Sequence, residues 1–236
     1  FYDLHMDCNG TVEQLIEEET ACGVNRMCIY SVAMNVHSMH SINTFIHSQL
    51  VAHPDLFTGM AAIHPDYDDF DGLIRDVQAM GFKGFKIHPD MQKFALDDKR
   101  SMDMFAAIEG KMPIVIHTGD KRYNYSHPEQ MKRVLDAFPN LTCICAHLGG
   151  WSEWDDAYKS LAKYDNVYVD TSSSLYAMEP EHAAKIIRQY ATERVMFGTD
   201  YPMWNAKEEL ERIAAVPLTD RERELIMGKN ALALLG

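Results

Sequence analysis

Eight times along the chain, a short apolar and β-branched run gives way to a helical pattern. No other feature constrains the fold as strongly, because strands alternating with helices indicate a parallel sheet. The first four pairs are FYDLHM with TVEQLIEEETACG, RMCIYSVAM with SINTFIHSQLVAH, LFTGMAAIHP with FDGLIRDVQAMG, and FKGFKIHP with SMDMFAAIEGK. The next four are PIVIHTG with PEQMKRVLDAF, LTCICAHLGG with WDDAYKSLAKY, NVYVDTSSS with EPEHAAKIIRQYA, and RVMFGTDYP with KEELERIAAV. A final helix, DRERELIMGKNALALL, follows. Gly23, Pro54 and Gly81 stop helices, and Pro128 suits a first helical turn. Eight units in 236 residues predict an α/β fold of the (β/α)8 TIM-barrel type, one domain over residues 1–236 without a linker. A doubly wound open sheet usually carries a glycine-rich phosphate loop after its first strand. Here that position reads DCNGTV, with a lone glycine, so the barrel is preferred.

The totals exclude several functions. The chain carries 35 acidic against 22 basic residues, a net charge of −13, and lacks the basic footprint of a nucleic-acid binder. No apolar run approaches membrane-spanning length and no signal-peptide pattern leads the chain. The five cysteines form no disulfide framework, which predicts a reduced, cytoplasmic protein. The 15 methionines read as adaptable core filling. A homodimer is the default expectation for assembly.

In a barrel the active site lies at the carboxyl ends of the strands. The first predicted strand ends in His5 and Asp7, the third in His64, and the fourth in Lys86 and His88. The fifth ends in His117, the sixth in His147, the seventh in Asp170 and the eighth in Asp200. Residues two apart share a face of a strand, so His5 and Asp7 point together, as do Lys86 and His88. A single strand-end histidine is more often structural than a ligand. So many ionisable groups at one mouth, however, imply a cation and a small-molecule substrate. Imidazole and carboxylate donors suit zinc best, with manganese or iron as alternatives.

YDLHMD, GFKIHPD, IVIHTG, CICAHLGG, VYVDTSS and FGTDYP, in this order, resemble the amidohydrolase superfamily. The similar branch includes aminocarboxymuconate-semialdehyde decarboxylase and many metal-dependent hydrolases. The resemblance spans nearly the whole chain. It implies one divalent metal held by His5, His117 and Asp200, with Asp200 also taking a proton from the attacking water. It implies that His147 polarises the substrate or activates water. The family's first strand normally reads Asp-x-His-x-His, and Asp7 stands where the second histidine belongs. Either Asp7 binds the metal through its carboxylate, which is the preferred reading, or the site has lost tight metal binding. In dinuclear members a fourth-strand lysine, at the place of Lys86, is carboxylated and bridges two metals. Here it reads as an ammonium that balances carboxylates or holds an anionic substrate, with a structural ion pair as the alternative.

The remaining candidates divide between site and scaffold. His88 and Arg122 read with Lys86 as substrate-binding groups; the loop carrying Lys121, Arg122, Tyr123 and Tyr125 follows His117 and suits a carboxylate. Cys143 and Cys145 share a face with His147 by alternation, but a continuous strand spreads them too far to close on one ion, so they read as core. Trp151, Trp154 and Trp204 either wall an apolar pocket or pack at a subunit contact. The chemistry implied is hydrolysis of an amide, lactone or ester of a small anionic substrate. The alternatives are non-oxidative decarboxylation of a small carboxylic acid, and a decayed anion-binding barrel.

Overall fold

The computed structural model describes residues 6–236. Seven strands form one sheet: β1 Met27–Ile29, β2 Phe57–Ala62, β3 Gly84–Ile87, β4 Ile114–Ile116, β5 Cys143–Cys145, β6 Val167–Asp170 and β7 Val195–Met196. They pair in sequence order and every pairing is parallel. These are the second to eighth strands expected from the sequence. The first, FYDLHM, lies almost wholly outside the described residues. The intervening helices are α1 Val12–Ala21, α2 Val36–Ala52, α3 Phe70–Ala79, α4 Pro89–Gln92, α5 Lys99–Ile108, α6 Pro128–Ala137, α7 Trp154–Leu161, α8 Pro180–Gln189 and α9 Ala206–Ala215. This strand–helix succession is that of the TIM barrel.

Local chemistry explains where the boundaries depart from expectation. Helix α2 starts five residues earlier than its apolar pattern because Asn35 caps it, accepting from Ser38 N–H at 3.1 Å. Helix α4 was not anticipated. Pro89 opens it and the Nδ1 atom of His88 caps it, accepting from Met91 N–H at 3.3 Å. The last predicted helix is divided. Asp220–Glu224 and Asn230–Leu235 are α-helical, and the turn between them, Leu225–Lys229, is wider, with non-helical backbone at Gly228.

Alternation along the strands sorts the side chains into two layers. Met60, Val115, Ile144 and Met196 gather inside the sheet with Tyr30, Tyr168 and the C-terminal Leu235. The opposite parity, including Phe85, Ile87, Ile114, Ile116, Cys143, Cys145, Val167 and Val169, packs against the helices. Cys143 and Cys145 are free thiols in that outer core, as expected. Lys86 pairs in register with Val115 and so takes the inward parity. His88 and His117, each two residues further on, continue the same row.

Helix α9 holds a buried carboxyl under the mouth. Burial pushes Glu209 up to about 7, although Arg212 beside it pulls the other way. The native state therefore holds this proton more tightly than the unfolded chain does. Stability should fall as pH rises from about 4.5 to about 7, by an amount on the order of 3 kcal/mol for a shift of that size. Glu209→Gln should raise the melting temperature at pH 8 and leave it little changed at pH 5. Thermal unfolding at the two pH values checks this.

Candidate active site

The ends of β3, β4 and β5 bring three imidazoles together. The rings of His88 and His117 stack at 3.8 Å with 10° between their planes. His117 meets His147 edge-on at 4.8 Å, and His117 Nδ1 lies 3.0 Å from His147 Nε2. Asp90, in α4, places Oδ2 3.8 Å from His117 Nε2. One ligand atom each from His88, Asp90 and His117 falls within 4.8 Å of the others, the candidate metal-binding group among the described residues.

The group is buried, and burial shapes its protonation. Loss of hydration drives His88 and His117 well below the usual imidazole range, reinforced by their imidazole neighbours and by Lys86. Burial raises Asp90 to about 6, opposed by the Ser126 hydroxyl, which donates to Oδ2 at 2.5 Å. Two atoms of the group, Asp90 Oδ1 and His117 Nε2, are buried and have no hydrogen-bond partner. An imidazole nitrogen and a carboxylate oxygen, both buried and both without a partner, fit a divalent cation. His88 is the weaker donor of the three. Its Nδ1 accepts from Met91 N–H, so in the neutral ring the proton sits on Nε2.

The mouth continues around β6 and β7. Asp170 Oδ1 accepts from the backbone N–H of His147 at 3.2 Å and of Ser172 at 3.1 Å, and from the Ser172 hydroxyl. Ser173 Oγ donates to Asp200 Oδ2 at 2.6 Å and accepts from Trp204 Nε1–H at 2.9 Å. The Lys86 ammonium is buried, 4.9 Å from the Tyr30 ring. Burial lowers its pKa, while the carboxylates of Asp200 and Asp170 pull it back up. His147, Ser173 and Asp200 all have left-handed backbone, with φ of 61°, 45° and 59°. Non-glycine residues seldom adopt this conformation, and such strain clusters at functional sites.

The sequence candidates therefore fall into different places. His88, His117 and His147 come together. Asp200 shares the mouth but does not join the His88–Asp90–His117 group, and neither does Asp7, which sits in an exposed bend. His5 lies outside the described residues. His64 is scaffold: its Nδ1 accepts from Asp66 N–H at 3.2 Å and its ring packs edge-on against Phe94. Arg122 pairs bidentately with buried Asp120, at 2.9 and 2.7 Å, and lies 4.8 Å from the Trp151 ring. Asp90 lies within GFKIHPD but is not a strand-end residue, since it stands in α4. His147 does not share a face with Cys143 and Cys145. The strand ends at Cys145, and positive φ at His147 and Leu148 turns the imidazole toward His117.

The family model described as Amidohydrolase matches residues 42–236. No curated protein sequence matches significantly. Among solved structures, an uncharacterised TIM-barrel protein of Bordetella bronchiseptica, Bb4693, superposes with a TM-score of 0.79 at 23% identity, over 95% of this chain and 82% of its own. A 2,6-dihydroxybenzoate decarboxylase from Rhizobium gives 0.73 at 17% identity, over 95% and 88%. A dihydroxybenzoic acid decarboxylase from Polaromonas sp. JS666, with bound manganese and 2-nitroresorcinol, gives 0.71 at 17% identity, over 95% and 86%. At these identities the likeness is one of fold.

Proposed function

This chain belongs to the amidohydrolase family of enzymes, and we propose that within it the protein is a metal-dependent, non-oxidative decarboxylase of a small unsaturated or aromatic carboxylic acid. The observation that carries the reading is the pair Lys86 and His88. They follow one another on the inward row, one an ammonium and the other an N–H donor beside His117. A substrate carboxylate suits that pair. Two of the fold relatives named above are decarboxylases of hydroxylated benzoates, which supports the same choice.

His117 through Nε2 and Asp90 through its carboxylate would hold the metal; the motif resemblance adds His5 and Asp200, and the Asp7 carboxylate is the preferred further ligand at the place of the motif's second histidine, although neither Asp7 nor Asp200 lies in the His88–Asp90–His117 group. Manganese is preferred over zinc because the Polaromonas relative holds it. A divalent ion there supplies Lewis acidity and neutralises charge on substrate oxygens. Lys86 and His88 hold the carboxylate that departs as CO2. Asp200, oriented through Oδ2 by Ser173, would take a proton from a water and pass it to the ring or alkene carbon as that carbon's bond to the carboxyl group breaks, the remaining hydroxide leaving with CO2 as bicarbonate. The buried floor keeps water from competing for the carboxylate. Arg122 at the loop edge receives the outer end of the substrate.

Hydrolysis of a lactone, ester or amide is the second reading, favoured by the family match itself. The test is the chain loaded with Mn2+ or Zn2+ and offered two panels, hydroxylated benzoates and small lactones or amides. CO2 release that needs the metal and stops on chelation is the expected result. Turnover confined to the lactone and amide panel would replace decarboxylation with hydrolysis.

A further inference from the structure

Three contacts in series fix where the protons sit on two histidines. His147 Nδ1 lies 3.0 Å from the main-chain oxygen of Ser172. A carbonyl oxygen only accepts, so Nδ1 of His147 carries the proton. The Ser172 hydroxyl, also 3.0 Å from Nδ1, gives its own proton to Asp170 and so can only share that N–H as a further acceptor. In the neutral ring, Nε2 of His147 is then a lone pair. It lies 3.0 Å from His117 Nδ1, which must be the donor. The remaining nitrogen, His117 Nε2, is left unprotonated, buried and without a hydrogen-bond partner, and it faces Asp90 at 3.8 Å.

We infer that His147 is a positioning residue, the middle member of a tautomer relay that runs from the Ser172 carbonyl through His147 to His117 and leaves His117 Nε2 as the metal-binding lone pair. This rests on the reading of His117 as a ligand and departs from a role for His147 on the substrate. The backbone is built to hold the relay. His147 adopts φ of 61° to turn its ring inward, and Asp170 ties that turn to β6 by accepting from both His147 N–H and Ser172 N–H. A histidine that binds a metal through one nitrogen commonly has its tautomer set by the partner of the other. Here that partner is a second imidazole, itself set by a carbonyl.

Two measurements test it on the full chain. In metal-free protein labelled with 15N-histidine, long-range 1H–15N spectra should show both His117 and His147 as Nδ1–H tautomers. An Nε2–H ring at His117, or an imidazolium at His147 near neutral pH, would overturn the relay. The second measurement is Mn2+ affinity of two variants. His147→Leu removes the acceptor and should weaken Mn2+ binding roughly 10- to 100-fold. His147→Gln can present an amide oxygen to His117 Nδ1–H and should recover most of the affinity. Equal affinity of wild type and His147→Leu would also overturn it, with circular dichroism checking that the variants fold. A relay seen by 15N in a protein that decarboxylates nothing would sink the proposed reaction and leave this inference standing.

Discussion

Replacing His117 with alanine is expected to have the largest effect of any single change at the site. Mn2+ affinity should fall by about two orders of magnitude or more, since changing merely the partner of a ligand already costs roughly 10- to 100-fold. Decarboxylation should drop to background. The fold should loosen as well, because the ring is stacked on His88 and bonded to His147. Its loss leaves buried polar groups without partners, at about 1–3 kcal/mol. Isothermal titration with Mn2+ separates the two effects when run well below the variant's melting temperature. Unchanged affinity in a folded variant would move the metal away from His117.

Asp200→Asn ranks second. The amide keeps the size of the carboxylate, and its oxygen can still accept from Ser173, so the protein should remain folded. The amide neither holds nor releases a proton as a carboxyl does. The turnover number should fall by roughly 10²- to 10⁴-fold, the usual worth of a positioned acid or base, with little change in KM. Metal affinity measured on the same variant tells whether Asp200 is also a ligand. Near-wild-type turnover would remove Asp200 from the proton transfer.

Strand-end arithmetic carried most of the fold and reached His88 and His117 of the candidate site but not Asp90. Seven of the expected strands are present in the expected order, because alternation and helix stops are local signals that packing here did not override. The same rule put Lys86 and His88 on one face and His117 at a strand end, and register places all three on one inward row. It failed where the strands stop. Asp90 follows a proline that opens a one-turn helix, so period-two counting does not reach it. His147 has the parity of the cysteines, and a left-handed residue reverses its direction. The relay through Ser172 depends on a main-chain oxygen, and no side-chain motif advertises that. The first strand, with His5, lies beyond the described residues, so the motif resemblance alone speaks for it.

The Arg122–Asp120 pair has a consequence for which ligands the mouth can admit. The guanidinium already grips a carboxylate through two parallel contacts, and that carboxylate is fully shielded from solvent. An incoming anion competes with an internal rival of the same charge and shape. A monodentate oxygen gains little from such an exchange, whereas a planar carboxylate can match the geometry it displaces. On the proposed role of Arg122, selectivity at this loop would be set by comparison with Asp120, and shortening or neutralising that rival would broaden the range of anions the protein accepts.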